Sequence, residues 1–362
     1  MLTHFMRALT RLLHSAAFCF LAVLASCELV PVPGEGEPTG YSVEFRIGDG
    51  ENAADTRATG IQASDETRVN RWTLCVFRVS DGMPAAAGSS ASSAAIVRTL
   101  PAGAYRAVAV VNPPTTGPGA FDPGASLTEN ALEAQTAYLA DNAVGSLEMY
   151  GVKSFTLGAA SASVAIPVSR LVSKVVLQKV TLRLSNTALT AYPFTLDAVY
   201  LDNVPSRTAW GTDPAFGDLP ADRALWYNPM GWHKTGACTS PACPDLLLGE
   251  RQIGTVIAQG GSHQTEYAFY TVPNPTSSQE DTRSATWAKR ATRLVIEARL
   301  GSQTQYYVAS LPEMARNHSY VIEEAVITGL GAADPETETP NSLELLFSVV
   351  DDGWEDGGTI VL

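Results

Sequence analysis

Leu171-Val-Ser-Lys-Val-Val-Leu-Gln-Lys-Val-Thr-Leu-Arg-Leu184 sets apolar side chains against basic and polar ones. Its spacing is close to the period of two that a half-buried strand shows. Composition shifts at about Ser169, so a domain boundary is expected there. Downstream, the same kind of pattern predicts strands at residues 194–204, 264–272, 292–300, 305–311, 318–328, 343–350 and 359–362. Between the first two of these runs a long loop rich in Pro, Gly, Trp and Cys. Upstream, strands are expected at residues 41–47, 69–79, 104–111, 153–157 and 163–168, separated by a Gly/Asp/Asn/Ala-rich loop, an Asp81-Gly82 turn and an Ala/Ser-rich low-complexity stretch. One helical passage is predicted over residues 127–140, where Leu127, Ala131, Leu132, Ala134 and Leu139 give a loose apolar face. Many short strands divided by turn signals argue for an all-β chain of two antiparallel sandwiches.

At the N-terminus, Arg7 and Arg11 precede an apolar stretch that ends in Leu24-Ala25-Ser26-Cys27, the arrangement of a signal peptide. The apolar run is shorter than the ~20 residues a membrane-spanning helix needs. The Leu-Ala-Ser-Cys ending resembles the lipobox of bacterial lipoproteins, which implies acylation of Cys27 and cleavage before it. Residues 28–40 are Pro, Gly, Glu and Val in the main, a polar tether. With 24 basic and 37 acidic residues the formal charge is −13, which repels phosphate backbones and argues against a nucleic-acid partner. Cys238 and Cys243 lie in one loop and could close a small disulfide in an oxidising compartment. Two cysteines with His233 do not complete a closed zinc site, so no metal and no cofactor are expected. Cys75, inside an apolar run, reads as a small core residue.

No enzyme is expected either. Beyond the signal peptide the histidines are His233, His263 and His318, with no metal-ligand spacing among them. Neither a Gly-x-Ser-x-Gly elbow nor a phosphate-binding Gly-rich loop is present. Asp49-Gly-Glu51 and Asp351-Asp352 read as turn formers, not calcium ligands. Trp72 and Trp287 fall in or beside strand patterns and should be core. Trp210, Trp226 and Trp232 lie together in the long loop and offer a possible contact surface, as in a monomeric glycan-binding lipoprotein.

A set of short patterns runs through the chain in a fixed order. Thr56-Arg-Ala-Thr-Gly60 is followed by Arg71-Trp-Thr-Leu-Cys-Val-Phe77, Leu100-Pro-Ala-Gly-Ala-Tyr105 and Pro167-Val-Ser-Arg-Leu-Val-Ser-Lys-Val175. Leu201-Asp-Asn-Val-Pro-Ser-Arg207, Tyr270-Thr-Val-Pro-Asn-Pro275, Thr292-Arg-Leu-Val-Ile-Glu-Ala298, Arg316-Asn-His-Ser-Tyr320, Asp351-Asp-Gly-Trp-Glu355 and Gly357-Gly-Thr-Ile-Val-Leu362 complete it. In this order, and with the lipobox, the chain resembles the fimbrillin family of Bacteroidetes, the major-subunit type of type V pili.

The resemblance implies two transthyretin-like antiparallel β-sandwich domains in tandem after a lipoprotein signal peptide. Residues 1–26 would be the signal, 27–57 a lipidated tether with the first strand, 58–168 the N-terminal sandwich and 169–362 the C-terminal one. It implies a lipoprotein carried to the outer membrane and cut between Arg57 and Ala58 by an arginine-specific protease. The groove so opened is then filled by a strand from another subunit, which gives a head-to-tail polymer on the cell surface that serves adhesion. The donor is expected in the C-terminal stretch, with Leu343, Leu345, Phe347, Val349, Ile360 and Leu362 as its apolar face. An anchor or tip subunit is the variant of this scheme that keeps the lipid or does not donate. The physics is consistent with such a cycle, because a missing strand leaves backbone donors, acceptors and an apolar groove that another strand satisfies. Arg57 is favoured over Arg46 and Arg68, since loop tips are cut more readily than paired strands.

Overall fold

The computed structural model describes residues 40–48, 63–117, 119–121, 123, 127–228, 243–250, 252–276, 289–348 and 355–356. The first half contributes β1 (Tyr41–Gly48), β2 (Trp72–Arg78), β3 (Pro84–Ser90), β4 (Ile96–Leu100) and β5 (Gly103–Val111). It continues with β6 (Thr136–Tyr138), β7 (Met149–Leu157), β8 (Ala162–Pro167) and β9 (Ser169–Arg170). Two short helices interrupt it, α1 (Ala63–Glu66) and α2 (Glu129–Glu133). One sheet has the order β4-β1-β8 and faces a second with the order β3-β2-β5-β7-β9. Between them lie Val43, Phe45, Ile96, Leu100, Val164 and Ile166 from the smaller sheet and Trp72, Leu74, Val76, Tyr105, Ala107 and Met149 from the larger. The outer face of the larger sheet is also covered. Cys75, Phe77, Val108, Val110 and Tyr150 pack there against Leu132, Ala137, Leu171 and Trp210. Burial on both faces explains why β2 carries apolar residues on both sides, Leu74 to Phe77 in succession, instead of alternating.

In the second half come β10 (Ser173–Leu177), β11 (Val180–Leu182), β12 (Phe194–Asp202), β13 (Val204–Pro205), β14 (Arg207–Ala209) and β15 (Trp226–Tyr227). Then follow β16 (Leu248–Glu250), β17 (Thr255–Ile257), β18 (Ser262–His263) and β19 (Tyr267–Thr271). The last are β20 (Arg293–Leu300), β21 (Gln303–Ser310), β22 (His318–Ile327), β23 (Leu343–Ser348) and β24 (Glu355–Asp356). β10 and β11 run along one edge of β22, while β23 and β24 pair with β22 at its other edge; β19 and β18 flank β10 and β11. A second sheet, β16-β12-β20-β21 with β17 also on β12, packs over it. Val175, Leu177, Phe269, Ile322, Ala325 and Phe347 from one layer meet Phe194, Leu196, Val199, Ile296 and Tyr307 from the other.

The expected all-β sandwich architecture is present, and it carries a detail that periodicity cannot specify. Among the described strands the ladders β1·β8, β10·β22, β11·β22 and β22·β24 are parallel and all the others antiparallel. Two local expectations differ from the structure. The helix over residues 127–140 shrinks to α2, capped by Thr128 and burying Leu132, after which the chain turns into β6. The Ala/Ser-rich stretch forms β3, a strand of weak intrinsic propensity recruited by the exposed edge of β2.

Candidate functional site

β1 occupies the middle of its three-stranded sheet. Tyr41 to Phe45 pair antiparallel with Leu100 to Ile96 of β4, and Val43 to Gly48 pair parallel with Ala162 to Pro167 of β8. The alternation that suggested a strand is realised: Val43 and Phe45 are wholly buried, Tyr41 and Ile47 half-buried, Ser42 and Arg46 exposed. The Phe45 ring meets Phe155 edge-on at 5.6 Å, and Phe155 in turn stacks on Tyr105 at 5.4 Å. Arg46 and Glu44 pair with each other at 2.8 Å on the outside, and among the described residues no ion pair of β1 reaches another element. Burying Val43 and Phe45 contributes roughly 1.5–3 kcal/mol each.

The walls of this slot are also held from elsewhere. β4 pairs with β1 alone among the described strands, but Arg98 Nε donates to the Ala87 carbonyl of β3 at 2.7 Å. Gly88 makes room for that guanidinium, since a Cβ there would lie 2.1 Å from Arg98 Nη2. β8 leads within two residues into β9, which pairs with β7.

The segment after residues 49–62 is tied down by a buried polar cluster. Glu66, at the end of α1, accepts from Lys174 Nζ at 3.0 Å and from the Tyr270 hydroxyl at 2.5 Å. Arg170 Nε donates to the Glu66 carbonyl at 3.0 Å, and its Nη1 donates to Asn317 Oδ1 at 3.1 Å. Glu66, Lys174 and Tyr270 are 3 % exposed or less. Three of the quoted patterns, those around Arg170, Tyr270 and Asn317, therefore converge on one place. Asn317 has a φ of 55°, a left-handed conformation that Asn tolerates. Its neighbour Arg316 staples the Trp210 segment, donating to Trp210 O at 2.5 Å and Ala209 O at 3.2 Å and pairing with Asp213 at 2.6 Å. None of these residues was singled out from the sequence as part of a site. The available signal was a lysine and an arginine inside an otherwise apolar run.

At the other end of the chain, β23 is an edge strand whose described partner is β22. Leu343 and Phe347 are buried, Leu345 is half-buried, and Glu344 and Leu346 face outward. The strap that leads into it is fixed to the opposite sheet. Arg290 Nη1 pairs with Glu336 at 3.1 Å, Arg293 donates to the Glu336 carbonyl at 2.8 Å, and the Thr339 N–H donates to the Val308 carbonyl at 3.0 Å. Of the expected site residues, Cys27, Arg57, Ala58, Cys238, Val349, Ile360 and Leu362 lie outside the described residues. Cys243 is half-buried. Cys75 is buried as expected, and burial pushes its thiol up to about 12.

The tryptophan surface is corrected. Trp210 and Trp226 are both 1 % exposed. Trp210 lies edge-on against Phe121 at 4.9 Å and donates its indole N–H to Glu148 at 3.2 Å. Trp226 donates to the Pro220 carbonyl at 3.0 Å. These rings fill the core beneath their loop because a large apolar ring with one satisfied donor is more stable there than in water. Trp232 lies outside the described residues. Trp72 is core, as expected.

No protein-family model and no curated protein matches the chain. Solved structures do match. A Bacteroides eggerthii protein provisionally assigned to cell adhesion superposes with a TM-score of 0.61 at 18 % identity, covering 87 % of this chain and 97 % of that one. A fimbrilin (FimA) of Porphyromonas gingivalis gives 0.57 at 17 %, covering 86 % and 97 %. A second protein provisionally assigned to cell adhesion, from Parabacteroides distasonis, gives 0.53 at 15 %, covering 86 % and 98 %. Over nearly their whole length, the chain shares the β-sandwich fold of these Bacteroidetes fimbrial and adhesion proteins.

Proposed function

We propose that this chain is a structural subunit of a cell-surface fimbria that serves adhesion. In this reading it is exported as a lipoprotein acylated at Cys27, held on the outer membrane by its lipid and cut by an arginine-specific protease between Arg57 and Ala58. Residues 58–168 and 169–362 are then the two working domains, joined head to tail with other subunits by strand exchange. The observation that carries the reading is the place of β1: the first of the described strands lies in the middle of a sheet, and residues 49–62 separate it in sequence from α1. Its loss would open a groove between β4 and β8 while Glu66, Arg98 and β9 keep the surroundings in place. The fold shared with fimbrial and adhesion proteins supports the same reading. A head-to-tail contact between different surfaces need not close and so extends into a filament.

N-terminal sequencing of protein sheared from its native cells tests this. A start at Ala58 in SDS-resistant ladders is expected, and Arg57→Ala should leave a lipidated, uncut monomer. Polymerisation of that variant at the wild-type level would reject the cleavage step, and a sheared polymer beginning at Cys27 would make the chain an anchor.

A further inference from the structure

We infer that residues 328–342 form a proton-latched cover on the edge of β21, closed while Asp202 is neutral and loosened when Asp202 ionises and takes Arg290 and Arg293 from Glu336.

β21 is the end strand of its sheet, so one row of its backbone groups has no strand beside it among the described residues. The strap between β22 and β23 supplies the partners. Tyr306 and Ala332 exchange backbone hydrogen bonds at 2.9 and 2.8 Å, the Val308 N–H donates to Thr339 Oγ1 at 2.9 Å, and the Thr339 N–H returns a bond to the Val308 carbonyl at 3.0 Å. Such an edge, once bared, is a template on which another extended chain can pair.

Two arginines hold the acidic part of the strap. Arg290 Nη1 pairs with Glu336 at 3.1 Å and Arg293 Nη1 donates to the Glu336 carbonyl at 2.8 Å. Arg293 Nε lies 3.8 Å from Glu338, which also accepts from the Ser310 hydroxyl. Asp334 serves the strap itself, accepting from the Glu336 N–H at 3.1 Å and the Thr337 hydroxyl at 2.9 Å. Asp202 stands directly opposite Arg293 in the β12·β20 ladder and is 1 % exposed, yet neither arginine donates to it and neither of its oxygens has a hydrogen-bond partner. A buried carboxylate so placed is costly in its charged form. Burial, reinforced by the charge of Glu336 and opposed in part by the nearby Asn203 N–H, Arg293 and Arg290, raises its carboxyl to about 8. Asp202 is therefore neutral while the strap is closed.

Lifting the strap reverses these influences. Arg290 and Arg293 lose Glu336 and Glu338 while Asp202 remains beside them, and water and two guanidiniums favour its charge. The lifted state then releases a proton that the closed state keeps. Closure is accordingly strongest at and below the usual carboxylate range, weakens as pH rises through neutrality, and stops changing once pH passes about 8. Between those limits opening gains about tenfold per pH unit.

Hydrogen exchange read by mass spectrometry on the full-length chain at about pH 5, 6 and 7, each rate divided by its intrinsic chemical rate, tests the latch. Peptides covering residues 304–310 and 332–340 should open about tenfold more readily per pH unit, and at every pH more readily than peptides of β20. Asp202→Asn, close in shape and unable to ionise, should keep the strap closed with no pH dependence. Glu336→Gln should loosen the strap and flatten the profile, because Asp202 then pairs with the arginines in the closed state too. A flat wild-type profile, or a wild-type slope in Asp202→Asn, would overturn the latch. Exchange of the strap at the rate of β20 throughout would show that it opens only with the whole sheet, and would overturn the cover.

Discussion

β1 and β10 open the two halves of the molecule in the same surroundings. Each lies between one antiparallel neighbour, β4 or β19, and one parallel neighbour, β8 or β22. Their attachments differ. β10 follows β9 closely, continues after Gln178 and Lys179 into β11, and carries Lys174 into the buried pair with Glu66. β1 has no anchored element before it among the described residues, and its charged side chains pair with each other on the outside. Sheet position alone does not make a strand exchangeable. What matters is whether backbone ladder and apolar side chains are the whole of its attachment, because another strand can supply both.

The largest expected effect lies on the β10 side. Glu66→Ala breaks the buried ion pair with Lys174 and removes the acceptor of the Tyr270 hydroxyl, and should destabilise the protein by about 3–5 kcal/mol, the usual effect of deleting one partner of a buried pair. The loss should appear in urea unfolding of the uncut chain, and a destabilisation near that of an exposed ion pair would show that the cluster is not an anchor. Next comes the pair Phe45→Ala and Leu177→Ala. Phe45→Ala should cost the uncut chain about 3–5 kcal/mol, and Leu177→Ala about 2–5 kcal/mol. After processing the two should part: Phe45→Ala polymers should dissociate in denaturant like wild type, because β1 is no longer there, whereas Leu177→Ala polymers should stay weakened. Equal weakening of both polymers would break the comparison between β1 and β10.

Much of the architecture was legible in the sequence, because alternation reports a strand wherever one face is wet. Residues 41–47 are an example, as is the expected strand 343–350 over its described part, Leu343–Ser348, with Leu343 and Phe347 buried. β3 was not legible, since Ala, Gly and Ser carry no strand signal and its place comes from the edge of β2. The loop tryptophans misled for a related reason. Loop position suggested exposure, but Glu148, Arg316 and Phe121 turn Trp210 inward, and these partners are distant in sequence. The Glu66 cluster joins residues 66, 170, 174 and 270, and no local pattern marks such a meeting.

The last comparison is a pH dependence that should be the same with and without β1. Glu148 is wholly buried, and burial, reinforced by the charge of Asp141 and partly opposed by the Trp210 donor, raises its carboxyl to about 8. A carboxyl raised in the folded state binds its proton more tightly there than in the unfolded chain. Stability from this group is therefore full at acid pH, falls as pH rises above the usual carboxylate range, and is lost by the time pH passes about 8. Glu148→Gln keeps an oxygen for the Trp210 N–H and cannot ionise. It should match wild type near pH 5 and exceed it at roughly pH 9, as read by urea unfolding at the two values. Glu148 lies beside Asn142 and Trp210, on the covered outer side of the larger sheet and away from the β1 slot. The gain should therefore be equal in the uncut chain and in the polymer. A gain confined to the uncut chain would mean that removing β1 loosens the far side of that sheet, and the exchange of one strand would then be felt through the whole first half.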